Sequence, residues 1–247
     1  MATVRVAFPG ARAGGLTFPR GETMALLPLE PQPAAFLLSA EGEGCLDHAL
    51  TLAAGLSVQS PFSHLKPSDH AVCRAPFAVY EGDALTLLNV CRAFDKQMRR
   101  RGERAASKWC KKRMIDERVI TRIRQVRGQL SRHLDAHKKR QEQAVGAAAD
   151  GRPPKAAAGG GGGGGTTGTD HIRRALIGGY FANAARHEGG GFYRSVLRDS
   201  PLKLHVNSVL YGAPPDWIIF HETVYSTEEL VLSATKVRPA GRARMAL

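Results

Sequence analysis

The clearest run of regularly spaced apolar residues in this chain follows Gly82 and Asp83. Leu85, Leu88 and Phe94 recur there at the spacing of one helical face. A glycine and an aspartate ahead of such a repeat are typical of a turn or a helix N-cap. The pattern therefore predicts a helix that begins near Asp83 and buries these three apolar side chains.

A second long helix is predicted from about residue 116 to residue 139, because one apolar stripe repeats there every three or four positions. The stripe consists of Val119, Ile123, Val126, Leu130 and Leu134. Arg122 and Arg124 lie off this stripe, and Arg127 falls at its edge. At an edge, the stem of an arginine can pack while its guanidinium reaches a partner. Charge alone is equally compatible with a solvated face.

The rest of the first 140 residues predicts shorter elements. Apolar residues at 26–38 and 45–58 indicate two short buried helices. Three prolines between residues 60 and 78 indicate a loop. Residues 1–15 are rich in Ala, Gly and Arg without periodicity, so we expect a flexible leader there.

Residues 141–168 have the composition of a disordered linker. They contain Pro153-Pro154 and seven consecutive glycines, 159–165, and such a stretch cannot bury enough apolar surface to order itself. A phosphate-binding loop would require Gly-Lys followed by Ser or Thr, whereas Thr166-Thr167-Gly168 follows these glycines. We therefore predict a Gly/Ala-rich linker or insertion.

After this linker the period changes from that of a helix to that of strands. Residues 172–185 carry a helical apolar repeat. Short runs rich in β-branched and aromatic residues follow, separated by turn residues, at 192–197, 202–206, 217–220 and 224–237. Several short strands in so short a stretch indicate a small β-barrel of OB-fold type over residues 169–238, with a tail at 239–247. The predicted fold class is α+β, a helical bundle followed by this barrel.

Positive charge is concentrated in one part of the chain. The net charge is +13, and residues 92–140 alone hold 18 lysines and arginines against 5 acidic residues. Such a field attracts a polyanion, most commonly nucleic acid. A membrane surface is a weaker candidate because no amphipathic helix with aromatic anchors accompanies the charge. The four cysteines form no CxxC pair and match no common zinc spacing, so we expect reduced thiols and no metal site.

Several short motifs, taken in order, resemble the region that follows the motor domains in DEAH-box RNA helicases. In the helical half they are Leu27-Pro-Leu-Glu-Pro31, Leu50-Thr-Leu-Ala-Ala54, Gly82-Asp83 with Leu85-Thr-Leu-Leu-Asn-Val90, Trp109-Cys110 and Arg127-Gly-Gln-Leu130. In the second half they are Ile172-Arg-Arg-Ala-Leu176, Gly179-Tyr-Phe-Ala-Asn-Ala-Ala-Arg186, Tyr193-Arg194, Ser208-Val-Leu210 and Trp217-Ile-Ile-Phe220. The Phe-Ala-Asn-Ala-Ala-Arg run is most similar to the spliceosome-associated branch of that family.

The resemblance implies a helicase-associated helical domain, often called the ratchet, at residues 16–140, with a remnant of a preceding winged-helix domain, and then the OB-fold. In that family these domains close a channel over single-stranded RNA beside two RecA-like motor domains, and some members take an activating protein partner. The resemblance points to the nucleus. Independently of it, the sequence has no stretch of about 18 apolar residues, so we expect no transmembrane helix and no membrane partner. The family's usual histidine after Gly-Asp is Ala84 here, and Leu230 and Leu232 replace its usual tyrosine and arginine. The resemblance therefore implies no polar RNA or interdomain contact of the family's kind from these three side chains.

The chemistry of a helicase motor is not expected in this chain. It has no Walker A sequence, no Asp-Glu-Ala-His box and no arginine-finger motif, which are the groups that position phosphoryl transfer. We therefore expect no ATP hydrolysis by this chain alone and no cofactor in it, since ATP and magnesium are implied only for the full-length family. The chain is either a fragment whose motor lies elsewhere or a free accessory module.

Seven basic residues are the candidate RNA contacts, and no catalytic or metal-binding residue is expected. They are Lys108, Arg122, Arg124, Arg127, Arg173, Arg194 and Lys203. The alternative function is a stand-alone, non-enzymatic module that binds RNA or a protein. Without motor domains, the surfaces that normally pack on them would be exposed to such a partner.

Overall fold

The computed structural model describes residues 20–148 and 169–238, and within these ranges it contains seven α-helices and seven β-strands. The helices are α1 Arg20–Leu26, α2 Pro31–Gly42, α3 Leu46–Leu56, α4 Pro67–Arg74, α5 Asp83–Arg113, α6 Glu117–Ala148 and α7 Asp170–Tyr180. The strands are β1 Ala184–Gly189, β2 Phe192–Ser195, β3 Pro201–Leu204, β4 Trp217–Ile219, β5 Glu222–Tyr225, β6 Glu229–Leu232 and β7 Thr235–Lys236. The α+β class is confirmed. The predicted leader, most of the linker and the tail lie outside the described residues.

Helix α5 is the helix predicted from the repeat after Asp83. It begins at Asp83, and Leu85, Leu88 and Phe94 are each only 2% exposed. It continues through the basic run, with a break at Gly102, whose φ of 77° lies in the region that favours glycine. The basic residues after this break are therefore carried by a separate helical segment.

Helix α6 buries the predicted stripe against α3 and α5. Ile123, Leu130 and Leu134 are buried, and Val119 and Val126 are partly buried against the same core. The helix extends to Ala148, past the predicted start of the linker at residue 141. The prediction of a loop over residues 60–78 was wrong in part, because α4 lies there. A proline sits in its first turn, where the missing N–H of proline costs nothing.

Helix α7 follows the linker in the sequence but packs in the helical core. Ile172, Leu176 and Tyr180 belong to the same buried cluster as α2, α3, α5 and α6. The close approach of α7 to α2 requires Gly179, because a Cβ there would lie 2.5 Å from the Cβ of Phe36. The helical core is thus completed by residues from beyond the linker.

The seven strands form one sheet in the order β5-β6-β3-β2-β1-β4-β7. All neighbours are antiparallel except β3 and β6, which are parallel. Tyr193, Leu202, Ile218, Phe220 and Val231 form most of a second core inside this sheet. Strands β2, β3 and β4 were predicted, whereas β1 was missed because the helical repeat was extended to residue 185 and α7 ends at Tyr180.

Candidate nucleic-acid interface

The helical half and the sheet meet at the side chain of Asp83, which is 7% exposed. Its carboxylate accepts hydrogen bonds from the Arg74 guanidinium at 2.7 Å, the Ser208 hydroxyl at 2.8 Å, and the backbone N–H groups of Val209 at 2.9 Å and Ala234 at 3.0 Å. Three of these four donors belong to the sheet half. Gly82 is the N-cap of α5, in agreement with the prediction, while the Asp83 side chain fastens the start of α5 to the sheet.

Backbone contacts next to Asp83 extend this connection. Gly82 forms a bridge with Thr235 of β7, and the N–H of Asp83 donates to the carbonyl of Ala234 at 2.8 Å. Gly82 has a φ of 125°, and a Cβ at this position would collide with the Ala234 carbonyl oxygen. Gly82 and Asp83 thus both contribute contacts that hold the helical half against the sheet.

A cleft of about 450 Å³ opens beside this contact, and we call it the junction cleft. Its helical wall comes mainly from residues 55–65 with Thr86 and Leu87, and its barrel wall from residues 205–208, 221–222 and 231–233. The cleft combines apolar walls with several histidine, serine and asparagine side chains.

Two histidines, His70 and His221, belong to the walls of the junction cleft, and the Nδ1 atom of each ring is buried. His70 is only 8% exposed, and its Nε2 lies 3.3 Å from the side-chain nitrogen of Asn207. Burial lowers the pKa of both rings, although the nearby carbonyls of Leu65 and Leu56 oppose the shift. The neutral imidazoles can each donate or accept a hydrogen bond.

The second feature of this region comprises residues 99–122, which are the last part of α5, the α5–α6 turn and the first part of α6, and we call it the basic hairpin. Its exposed cations make no ion pair with a described residue. They are Arg99, Arg100, Arg101, Arg104, Lys108, Lys111, Lys112, Arg113, Arg118 and Arg122. The Ser107 hydroxyl joins the two segments by donating to Glu117 at 2.7 Å. A surface with so many unneutralised cations suits phosphate groups.

The turn of the basic hairpin lies against the junction cleft. The N–H of Asp116 donates to the carbonyl of Pro61, a residue of the cleft wall, at 2.9 Å. Cys73 of α4 lies with its sulfur 3.6 Å from that of Met114 in the turn. The Asp116 carboxylate caps α6 by accepting from the N–H of Arg118 at 2.9 Å. The cationic tip and the cleft are therefore neighbours.

The four candidate RNA contacts predicted in the helical half divide into two groups. Lys108 and Arg122 are exposed and have no ion pair with a described residue. Arg124 pairs with Asp95 at 3.2 Å, and Arg127 pairs with Asp47. Only Lys108 and Arg122 therefore present free charge.

The three candidates predicted in the second half all have carboxylate partners. Arg173 is 8% exposed and pairs with Asp170. Arg194 pairs with Glu188 at 2.7 Å and Asp199 at 3.4 Å, and the hydrogen bond that Arg194 donates to Glu188 raises the pKa of the guanidinium. These partners neutralise the arginines locally.

Lys203, the remaining candidate in the sheet, pairs with Glu228 at 2.6 Å and lies 4.2 Å from the ring centroid of Phe192. Its charge is therefore shared with a carboxylate and an aromatic face. Four further exposed cations at the hairpin turn were not among the sequence candidates, namely Lys111, Lys112, Arg113 and Arg118. The sequence feature that could have identified them is Met114-Ile115-Asp116, which interrupts two basic stretches and so indicates a turn with positive charge on both sides.

Within residues 20–148 and 169–238, no three His, Cys, Asp or Glu side chains are grouped so that they could hold a metal ion. None of the helices in these ranges has the length and apolar character needed to cross a membrane.

Two families of known domains match this chain. The helicase associated domain (HA2), ratchet-like, matches residues 30–116, and the oligonucleotide/oligosaccharide-binding (OB)-fold matches residues 172–246. The first match ends at residue 116, before α6, and the second begins at residue 172, which places most of α7 with the OB-fold although α7 packs in the helical core.

Similar proteins with curated names are RNA helicases. The probable ATP-dependent RNA helicase DHX35 of Homo sapiens is 32% identical over 229 residues, which are 91% of this chain and 29% of the relative. The pre-mRNA-splicing factor ATP-dependent RNA helicase prp22 of Schizosaccharomyces pombe is 30% identical over 228 residues, 91% of this chain and 17% of the relative. The chain thus spans less than a third of the length of these relatives. The chain belongs to the DEAH-box RNA helicase family as its C-terminal region, a helicase-associated, ratchet-like domain followed by an OB-fold.

Proposed function

We propose that this chain is the C-terminal accessory portion of an ATP-dependent RNA helicase and forms part of the channel for single-stranded RNA. The observation that carries the proposal is the basic hairpin, whose exposed cations have no ion pair with a described residue. Cations left free of carboxylates can neutralise phosphates and release the counterions that surround a nucleic acid. The paired cations Arg194 and Lys203 would first have to give up their own partners.

RecA-like motor domains are the second partner in this proposal. They would bind ATP and magnesium and move the RNA, while this chain holds the strand. Pre-mRNA splicing and a nuclear location are proposed because one relative is named a pre-mRNA-splicing factor. An activating protein, as in some members of the family, completes the proposed set of partners.

The test is a titration of the full chain with a fluorescently labelled single-stranded oligouridylate at several salt concentrations. We expect binding that weakens steeply with salt, because each neutralised phosphate of a single strand contributes about −0.7 to the slope of log K against log salt. The triple variant Lys111→Ala, Lys112→Ala and Arg113→Ala should flatten this slope by about 2, if each of the three cations contacts one phosphate.

The matched control is a triple variant that removes the same charge from the sheet, Arg194→Ala, Arg198→Ala and Lys203→Ala. These three cations are paired with Glu188, Glu229 and Glu228. We expect a clearly smaller change in the slope than with the hairpin variant. Equal changes would assign the binding to overall charge, and no binding of wild type at low salt would overturn the proposed function.

A further inference from the structure

The junction cleft is continuous with the basic hairpin but differs from it in charge. Inside the cleft, the Arg74 guanidinium is already paired with the buried Asp83 carboxylate, and Glu222 adds a negative charge to the barrel wall. A phosphate placed there would lose its water and meet a carboxylate. The cleft therefore suits an uncharged group, whereas the hairpin suits an anion.

The size and the walls of the cleft restrict that uncharged group further. A volume of about 450 Å³ lies within the range of about 300–1,000 Å³ that is usual for sites of small ligands. Val58, Leu87 and Leu232 offer partly exposed apolar surface for a flat ring, and Gln59, Ser60 and Ser63 add exposed polar side chains. A planar group with polar edges and an apolar face satisfies both kinds of wall.

We propose that the junction cleft accepts one unstacked nucleobase of the RNA strand whose phosphates lie on the basic hairpin. The inference rests on the proposed function, because it needs a strand held at the hairpin turn. The hydrogen bond between Asp116 and Pro61 places that turn directly against the cleft wall. A nucleotide bound through its phosphate at the turn can point its base into the cleft, where the exposed polar side chains of the wall bind the base edge.

The test compares two strands with the same phosphates, an oligouridylate and an oligomer of abasic ribose units of equal length. We expect wild type to bind the uridylate about tenfold more tightly, near the lower end of what aromatic stacking of one base contributes, because aliphatic and polar side chains hold the base here. Because every unit of the second strand lacks its base, a shift of register cannot hide the effect. An equal affinity for both strands would overturn the inference.

A variant that fills the cleft locates the base contact. Val58→Trp should bind both strands with the affinity that wild type has for the abasic strand. Val72→Trp is the matched control, because Val72 is 75% exposed on α4 and does not line the cleft. The Val72→Trp variant should keep the tenfold preference for the uridylate over the abasic strand. Gln59→Trp, at an exposed position of the cleft wall, repeats the test should Val58→Trp unfold, as monitored by circular dichroism.

The outcomes separate the two proposals. A cleft-filled variant that keeps the tenfold preference would place the base contact elsewhere and overturn the inference. A wild type without base preference, whose binding still depends on the hairpin lysines, would leave the proposed function standing and remove the cleft from it. A wild type that binds neither strand would overturn both proposals.

Discussion

At the scale of single residues, Asp83 connects elements that are far apart in the sequence. Replacement by Ala leaves the Arg74 guanidinium without its carboxylate and the N–H of Ala234 without an acceptor, both in buried surroundings. Breaking a buried ion pair by removing one partner costs about 3–5 kcal/mol. We expect Asp83→Ala to lower the free energy of unfolding by that amount, measured by urea denaturation.

The control for Asp83→Ala is Asp47→Ala, which also removes the partner of an arginine. Asp47 pairs with Arg127 but its side chain is 74% exposed, and surface pairs contribute at most about 1 kcal/mol. A loss at Asp83 no larger than the loss at Asp47 would contradict the role of Asp83 as the fastening between the two halves.

Residue roles were the least predictable feature of this chain. The sequence identified Gly82-Asp83 only as a turn or a cap. It could not reveal the hydrogen bonds to Asp83 from Ser208, Val209 and Ala234, because these donors come close only when the sheet has folded onto α5. Arg173 was a candidate RNA contact, although the carboxylate of Asp170 three positions earlier already offered a local partner. Charge is visible in a sequence, whereas its neutralisation depends on neighbours in space.

At the scale of elements, long helices were predictable and short pieces between them were not. The stripe of α6 determined which face is buried, since Ile123, Leu130 and Leu134 follow the helical period over several turns. Strand β1 carries no such signal, because Ala184–Gly189 continues an alanine-rich helical pattern after α7 ends. Its strand conformation comes from pairing with both β2 and β4.

The packing of helix α5 can be tested through the reactivity of its two cysteines. Cys91 and Cys110 are 4% and 0% exposed, and burial raises the pKa of each thiol to about 12. The reactive thiolate is therefore nearly absent at pH 8. Cys73 lies on α4 and is half-buried beside Met114. We expect a thiol reagent to modify Cys73 at least about tenfold faster than the α5 cysteines.

Mass spectrometry of the modified peptides measures these rates, and the same reaction in urea should modify all four cysteines. The comparison reports directly on the packing of α5, on which the position of the basic hairpin depends. Rapid modification of Cys110 in the native protein would show that the helical segment after Gly102 is not held against the core, contrary to its buried position here.

At the scale of the whole molecule, the two halves have different electrostatic characters. The helical half carries a cluster of ten cations without an ion pair to a described residue on the basic hairpin, while in the sheet Arg194, Arg198 and Lys203 are each matched by a carboxylate. The amino-acid composition alone revealed that positive charge is concentrated in the helical half, but it did not reveal which cations form ion pairs. The partner surface is therefore expected on the helical side, with the junction cleft at its border.

The contact between the halves also makes the stability of the molecule depend on pH. Burial lowers the pKa of His70 and of His221, so the folded protein favours their neutral forms, while unfolded histidines titrate near about 6.5. Below that value the unfolded state binds more protons than the folded state, and protons shift the equilibrium toward unfolding. The stabilisation is fully present above pH about 6.5 and is lost as the pH falls through the unfolded pKa toward the lower folded values.

We therefore expect the melting temperature to fall between pH 7.5 and about 5.5, a range above the titration of ordinary carboxylates. The double variant His70→Gln and His221→Gln should reduce this dependence, because glutamine keeps polar side-chain atoms without a titrating group. The exposed His64 provides the control, and His64→Gln should melt with the wild-type pH profile. Differential scanning calorimetry measures both. An unchanged pH profile in the double variant would contradict the idea that protonation of these two rings opens the contact between the helical half and the sheet.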